Sequence, residues 1–175
     1  MYYAQIKKTD VANGPGVRTS IFVSGCKHHC PGCFNEIAWA FDYGRPFTEQ
    51  TQSELLSALQ PSYIAGLTVL GGEPFEPENQ QELLPFLKKV RAEYPAKTIW
   101  CFTGFTFEEL LGNSRAHCAY TAELLRQIDV LVDGRYDADK RDLMLQFRGS
   151  SNQRVIDVPK TLAGGAVTIW KDLKY

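Results

Sequence analysis

The sequence lacks the marks of several protein classes. No apolar run in its 175 residues approaches the roughly 20 that a membrane-spanning helix requires. Neither charge is in excess: 19 Lys and Arg against 20 Asp and Glu leave a net charge of −1, so no basic surface for nucleic acid is expected. The first residues, Met-Tyr-Tyr-Ala-Gln-Ile-Lys-Lys, have no apolar stretch behind a basic start. That is not the pattern of a secretory signal, and a cytoplasmic protein with no membrane partner is expected. Repeats, low-complexity tracts and long linkers are also missing. The length suits one domain over 1–175, with enough chain to bury a core without staples. Cysteines number five, and an odd count in a reducing compartment argues against a disulfide framework.

What is present is concentrated. Three of the five cysteines, Cys26, Cys30 and Cys33, lie within eight residues. They follow an apolar, β-branched stretch over 18–24 that reads as a strand, itself preceded by the turn signal Asn13-Gly14-Pro15-Gly16. Helical spacing follows over 49–60, then a short strand at 67–70 ending at Gly71-Gly72. Residues 78–93 place Leu83, Leu84, Leu87 and Val90 on one face of a helix, with Pro85 a candidate break. A strand at 98–102, helical pieces at 106–111 and 120–127, and a strand at 128–132 complete the alternation. The tail reads as short strands at 145–148, 154–158 and 166–170.

Strands alternating with helices predict an α/β fold with a parallel sheet. A closed eight-unit barrel takes about 250 residues, so the expectation is an incomplete (β/α) barrel, open on one side. Ligands of such folds sit at the carboxyl ends of the strands. Gly25-Cys26, Gly71-Gly72-Glu73, Thr103-Gly104 and Asp133-Gly134 should therefore converge on one site.

Thiolates at Cys26-x-x-x-Cys30-x-x-Cys33 suit zinc, Cu(I) or an iron–sulfur cluster. Three ligands are one short of a closed structural zinc site, although His28 or His29 could supply the fourth. A zinc-stabilised binding module is thus one reading. A cubane cluster, usually held by four cysteines, would be left with one open iron where a substrate can bind. Gly71-Gly72-Glu73-Pro74 lies between a strand and a helix, where glycine lets backbone approach a ligand closely. A tight strand-to-helix turn is the simpler alternative. Glu73 could assist by its charge, or merely be favoured by the helix dipole.

The cysteine spacing together with the later Gly71-Gly72-Glu73-Pro74 resembles the radical S-adenosylmethionine superfamily. The resemblance implies a [4Fe–4S] cluster on Cys26, Cys30 and Cys33. It also implies S-adenosylmethionine bound at the open iron and its reductive cleavage to a 5′-deoxyadenosyl radical. By the same resemblance Gly71, Gly72 and Glu73 contact the cofactor, as do Gly32, Cys33 and Phe34. Phe34 would shield the cluster or pack near adenine, unless it is simply a core aromatic. Thr103 and Asp133 are further candidates for cofactor contact, against simple strand-end capping.

More of the chain is similar to the glycyl-radical activating enzymes that act on anaerobic ribonucleoside-triphosphate reductase. The segments are Asn13-Gly-Pro-Gly-Val-Arg18, Phe22-Val-Ser-Gly-Cys26, Cys30-Pro-Gly-Cys-Phe-Asn35, Thr103-Gly104-Phe105 with Glu108-Glu109-Leu110, Val130-Leu-Val-Asp-Gly134, and Phe147-Arg-Gly-Ser-Ser-Asn-Gln153. They run from about residue 5 to residue 157. This implies hydrogen abstraction from a glycine of the reductase large subunit, with reduced flavodoxin or a similar protein as electron donor. A small-molecule enzyme such as 7-carboxy-7-deazaguanine synthase is the alternative within the superfamily; the 13–18 and 147–153 segments favour the activase. One stretch fits no motif, and two further features have a simpler reading. Residues 112–119, with His117 and Cys118, read as a solvated loop. Cys101 reads as a buried small hydrophobe. The loop with Arg148, Ser150 and Asn152 reads as a turn.

Overall fold

The computed structural model describes residues 1–171. Its sheet has seven strands: β1 (Tyr2–Asp10), β2 (Val17–Val23), β3 (Arg45–Pro46), β4 (Ile64–Gly71), β5 (Thr98–Phe102), β6 (Val130–Asp133) and β7 (Arg154–Asp157). Their spatial order is β3-β1-β2-β4-β5-β6-β7. The four central strands, β2, β4, β5 and β6, are parallel. The flanking pairs β1–β2, β1–β3 and β6–β7 are antiparallel. The expectation of an α/β chain with a parallel sheet holds at the centre. A purely parallel sheet does not: the fold is a mixed sheet with open edges, not a closed barrel. Sequence periodicity missed β1 because its side chains are mostly exposed, so no apolar stripe marks it.

Helices α1 (Glu49–Leu59), α2 (Pro77–Glu93), α3 (Phe107–Leu111), α4 (Thr121–Arg126) and α5 (Val158–Gly164) connect or follow the strands. Thr48 and Thr51 close a reciprocal capping box at the start of α1. Helix α2 starts on Pro77 and continues unbroken through Pro85. Pro85 has no N–H for the carbonyl of Gln81, and both residues lie on the exposed side of the helix, where water can serve that carbonyl. The tail departs from expectation: 145–148 is loop, and 158–164 turns into α5 after β7. Residues 166–170 contribute only an isolated bridge, Ile156 to Ile169.

Strand alternation sorts the side chains into two layers. Ile21, Val23, Leu67, Val69, Ile99, Cys101 and Leu131 join Leu55, Leu83, Phe86, Leu87, Val90 and Leu125 of the helices in the main core. On the opposite face, Trp100, Val130, Val132 and Val155 form a smaller cluster covered by Phe102, Phe147 and Trp170. That second face also holds Arg18, which is completely buried. Its guanidinium donates to Thr68 Oγ1 at 2.7 Å, Thr98 Oγ1 at 3.0 Å, and the carbonyls of Leu67 and Thr98, both at 2.8 Å. Burial pulls its pKa down to about 10, which leaves it charged at neutral pH. Arg18 thus laces β2, β4 and β5 together beneath the site. Gly66 makes room for it: an added Cβ would stand 2.9 Å from Arg18 Nη2 and 1.9 Å from Thr98 O, the carbonyl that Arg18 bonds.

Replacing Arg18 by Met leaves these buried acceptors unmatched. The expected cost is about 2–4 kcal/mol, to be read from the urea midpoint of the metal-free protein. An unchanged midpoint would contradict the lacing role.

Candidate metal and cofactor site

A cavity of about 610 Å³ opens at the carboxyl ends of the parallel strands and runs down the face that carries Trp100. Cys26, Cys30 and Cys33 all line it, together with Gly32, Phe34, Gly71, Gly72, Glu73 and Thr103. All but one of the site residues expected from sequence are therefore brought to one place. The exception is Asp133. It is buried at the end of β6 and accepts from the backbone N–H of Phe107 and from Arg154, which also pairs with Glu108. It belongs to a strand-end ion network and does not line the cavity.

The cysteine loop leaves β2 at Ser24. Gly25 takes a positive φ of 93° and packs against Phe41, where a Cβ would stand 2.4 Å from the ring. Its first part is anchored by backbone: Gly25 N–H donates to Ala38 O at 2.8 Å, Cys26 N–H to Trp39 O at 3.1 Å, and Lys27 N–H to Glu76 Oε1 at 2.9 Å. The glycine-rich loop is tied to the same segment, with Gly72 N–H on Val23 O at 2.7 Å and Glu73 N–H on Gly25 O at 2.8 Å. Asn79, on the first turn of α2, donates to both Ser24 O and Glu73 O at 2.9 Å. The two loops therefore form one unit. Gly71, at φ 117°, faces the β2 backbone too closely for any Cβ, 2.6 Å from Val23 N.

The thiols differ in surroundings. Cys26 is buried, and burial, reinforced by the carboxylates of Glu73 and Glu76, pushes it up to about 11. Burial and the neighbouring Cys33 also raise Cys30. Coordination by a metal would therefore have to displace protons from both. Cys101 is fully buried in the main core and raised well above the ordinary thiol range by that burial; it is the inert hydrophobe that the sequence suggested. Among the described residues, no three His, Cys, Asp or Glu side chains close on a point that one metal ion could occupy. Neither histidine stands as a fourth ligand. His28 is directed at Glu73 Oε2, 3.0 Å away, and His29 stacks on Trp39 at 4.5 Å. The donor set facing the cavity is three soft thiols, which fits an iron–sulfur cluster with an open position.

Phe34 is 83% exposed, so it is not a core aromatic. Leu143, 82% exposed, lines the same cavity, and the next residue, Met144, is 88% exposed. The loop carrying them is stitched down by Gln153, whose Oε1 accepts from Gly149 N–H and Ser150 N–H and whose Nε2 donates to Gly134 O. Arg148 lines the cavity and leaves its Nε buried without a partner. Sequence reasoning did not single out Glu76, Tyr136 or Leu143, and nothing in their spacing marks them. The insert 112–119 is not simply solvated. Ala116 is buried, its carbonyl accepts from Gln80 Nε2 at 2.7 Å, and Arg115 reaches Glu76 at 3.1 Å behind the cysteine loop.

Residues 12–156 match the model of a family described as 4Fe-4S single cluster domain. The chain is 43% identical over 155 residues to the anaerobic ribonucleoside-triphosphate reductase-activating protein of Pasteurella multocida, covering 87% of this chain and 95% of that one. It is 40% identical over 157 residues to the protein of the same name from Escherichia coli K12, covering 89% and 97%. The corresponding protein of enterobacteria phage T4 is 41% identical over 155 residues, covering 89% and 93%.

Gly72→Ala tests the union of the two loops. Its Cβ would meet Gly25 O at 2.7 Å and Ala38 O at 3.0 Å, both backbone. The substitution should destabilise the protein by about 2–4 kcal/mol and lower the iron retained after anaerobic reconstitution. A melting temperature and iron content equal to wild type would contradict the close packing.

Proposed function

This chain belongs to the 4Fe-4S single cluster domain family and to the anaerobic ribonucleoside-triphosphate reductase-activating proteins, and from that premise we propose that it activates an anaerobic ribonucleoside-triphosphate reductase. We read residues 1–175 as one radical S-adenosylmethionine domain, its open sheet an incomplete (β/α) barrel of that type. Cys26, Cys30 and Cys33 are the residues that would hold the [4Fe–4S] cluster. Bound there, the cluster would supply the electron for reductive cleavage of S-adenosylmethionine to methionine and a 5′-deoxyadenosyl radical, the species that would take a hydrogen atom from a glycine of the partner.

The observation that carries this reading is the convergence of the three thiols and Gly71-Gly72 on one open cavity. Each part of the chain has a task there. The thiols, once deprotonated, are the soft ligands. Gly71 and Gly72 bring backbone to the cavity without a side chain in the way, as close approach to a charged ligand end requires. Leu70, Phe102 and Phe147 make the inner wall apolar, which offers water no hydrogen-bond partner beside a site where a radical must not be quenched. The exposed Phe34 and Leu143 of the rim suit a protein segment better than a small molecule, because a glycine on a partner must be brought within a few ångströms of the reacting carbon. The donor of the electron would be reduced flavodoxin or a protein like it, and the compartment the cytoplasm. Among the described residues no helix is long and apolar enough to cross a membrane.

The test is direct. Anaerobically reconstituted protein, S-adenosylmethionine, a reductant and the purified reductase should give a glycyl doublet in the electron paramagnetic resonance spectrum. Cys26→Ser, Cys30→Ser and Cys33→Ser should each reduce that signal by about tenfold or more, because each removes a cluster ligand. A competent reductase that shows no doublet with the wild-type protein would overturn the assignment.

A further inference from the structure

Glu73 lies in the glycine-rich loop, where a carboxylate could face a cofactor amine, yet all of its hydrogen-bonding capacity is turned inward. The residue is completely buried. Oε1 accepts from Thr103 Oγ1 at 2.7 Å and from Phe75 N–H at 2.8 Å. Oε2 accepts from Gly104 N–H at 2.7 Å and from His28 Nε2 at 3.0 Å. Two bonds on each oxygen fill the sites a carboxylate offers, so no lone pair remains for a ligand in the cavity.

The partner that matters is His28, which stands between Cys26 and Cys30. Its side chain is 2% exposed. One edge of the ring meets Phe105 at 4.4 Å between centroids. Gly104 leaves the space the ring fills: a Cβ there would stand 2.6 Å from His28 Cδ2 and 2.8 Å from its Nε2. Thr103, Gly104 and Phe105 thus build one slot: a hydroxyl and an N–H that orient the carboxylate, a gap for the imidazole, and a ring that backs it. The preceding residue is held in parallel, with Lys27 N–H on the buried Glu76.

We propose that His28 and Glu73 form an internal clamp that fixes the cysteine loop on the glycine-rich loop, with His28 a positioning residue for the cluster and Glu73 not a ligand of S-adenosylmethionine. This rests on the reading of Cys26, Cys30 and Cys33 as cluster ligands. Buried hydrogen bonds to a charged group fix geometry strongly because neither partner can fall back on water. A preset loop then offers its thiols already oriented, as hydrogen bonds behind the ligands do at metal sites in general.

The test uses full-length protein reconstituted anaerobically, without reductase. The readouts are the rate of iron loss to an excess of chelator, the reduced-cluster resonance spectrum, and the dissociation constant for S-adenosylmethionine. His28→Leu and Glu73→Gln should each speed iron loss about tenfold or more, in the 10–100-fold range usual for outer-shell partners. His28→Gln, which keeps a donor, should recover most of that loss. The double variant should be no worse than the more affected single one. Once loaded, Glu73→Gln should bind S-adenosylmethionine within about threefold of wild type. Thermal melts of the metal-free variants establish that each is folded. Should His28→Leu fail to fold, Gly104→Ala displaces the ring without removing it and should give the same faster iron loss.

Unchanged iron loss in folded variants would overturn the clamp. So would a Glu73→Gln protein that retains iron normally but binds S-adenosylmethionine tenfold more weakly, since that is the behaviour of a direct ligand. A wild-type protein that takes up no iron–sulfur cluster would instead refute the cluster reading itself. A missing glycyl doublet with the reductase would leave the chelator result standing and count against the activase assignment alone.

Discussion

A carboxylate with no access to water must have its charge met by hydrogen bonds or it will not stay in the interior. Glu73 imposes that condition on the whole upper edge of the sheet. Its partners come from three separate strand ends: His28 after β2, Phe75 beyond β4, and Thr103 with Gly104 after β5. No one of these loops can move without leaving a buried charge short of a donor. The cysteine loop therefore reaches its place by being tied to its neighbours, not by its own conformational preference.

The lower part of the same face is organised by a charge of the opposite sign. Arg18 satisfies the carbonyls of Leu67 and Thr98 and the hydroxyls of Thr68 and Thr98 from inside the sheet. Above it the wall becomes apolar, through Trp100, Phe102 and Leu70, until the thiols are reached. An apolar wall below three soft ligands suits reactive chemistry, and Arg18, buried beneath that wall, holds the strands that carry it. The antiparallel pairs at both margins leave the sheet open where a closed barrel would bring its edges together. That opening is what a protein substrate needs.

Much of this was legible in the residues. Cys26, Cys30 and Cys33 are close in sequence, and three soft ligands in one post-strand loop have few alternative uses. The strands over 18–24, 67–70 and 98–102 carry β-branched and aromatic residues because both of their faces are covered, and such runs stand out. β1 did not, being mostly exposed. Nor did the reach of 112–119, since Gln80 and Arg115 act over dozens of residues and leave no local pattern. Asp133 shows the limit from the other side. Its position at a strand end pointed to the cavity, but strand-end placement does not fix where a side chain turns, and Arg154 and Phe107 turn it aside.

The chemistry is written locally: which thiols are available, that glycine recurs beside them, and that strands and helices alternate so as to bring loops to one edge. These follow from local composition and short spacings. The roles within the site came from the packing of the folded chain. It directed His28 to a buried carboxylate instead of a metal, filled both oxygens of Glu73, and left Phe34 at the mouth of the cavity instead of in the core. The reason is that hydrogen-bond saturation and burial depend on residues far apart in the chain, and no spacing rule records them.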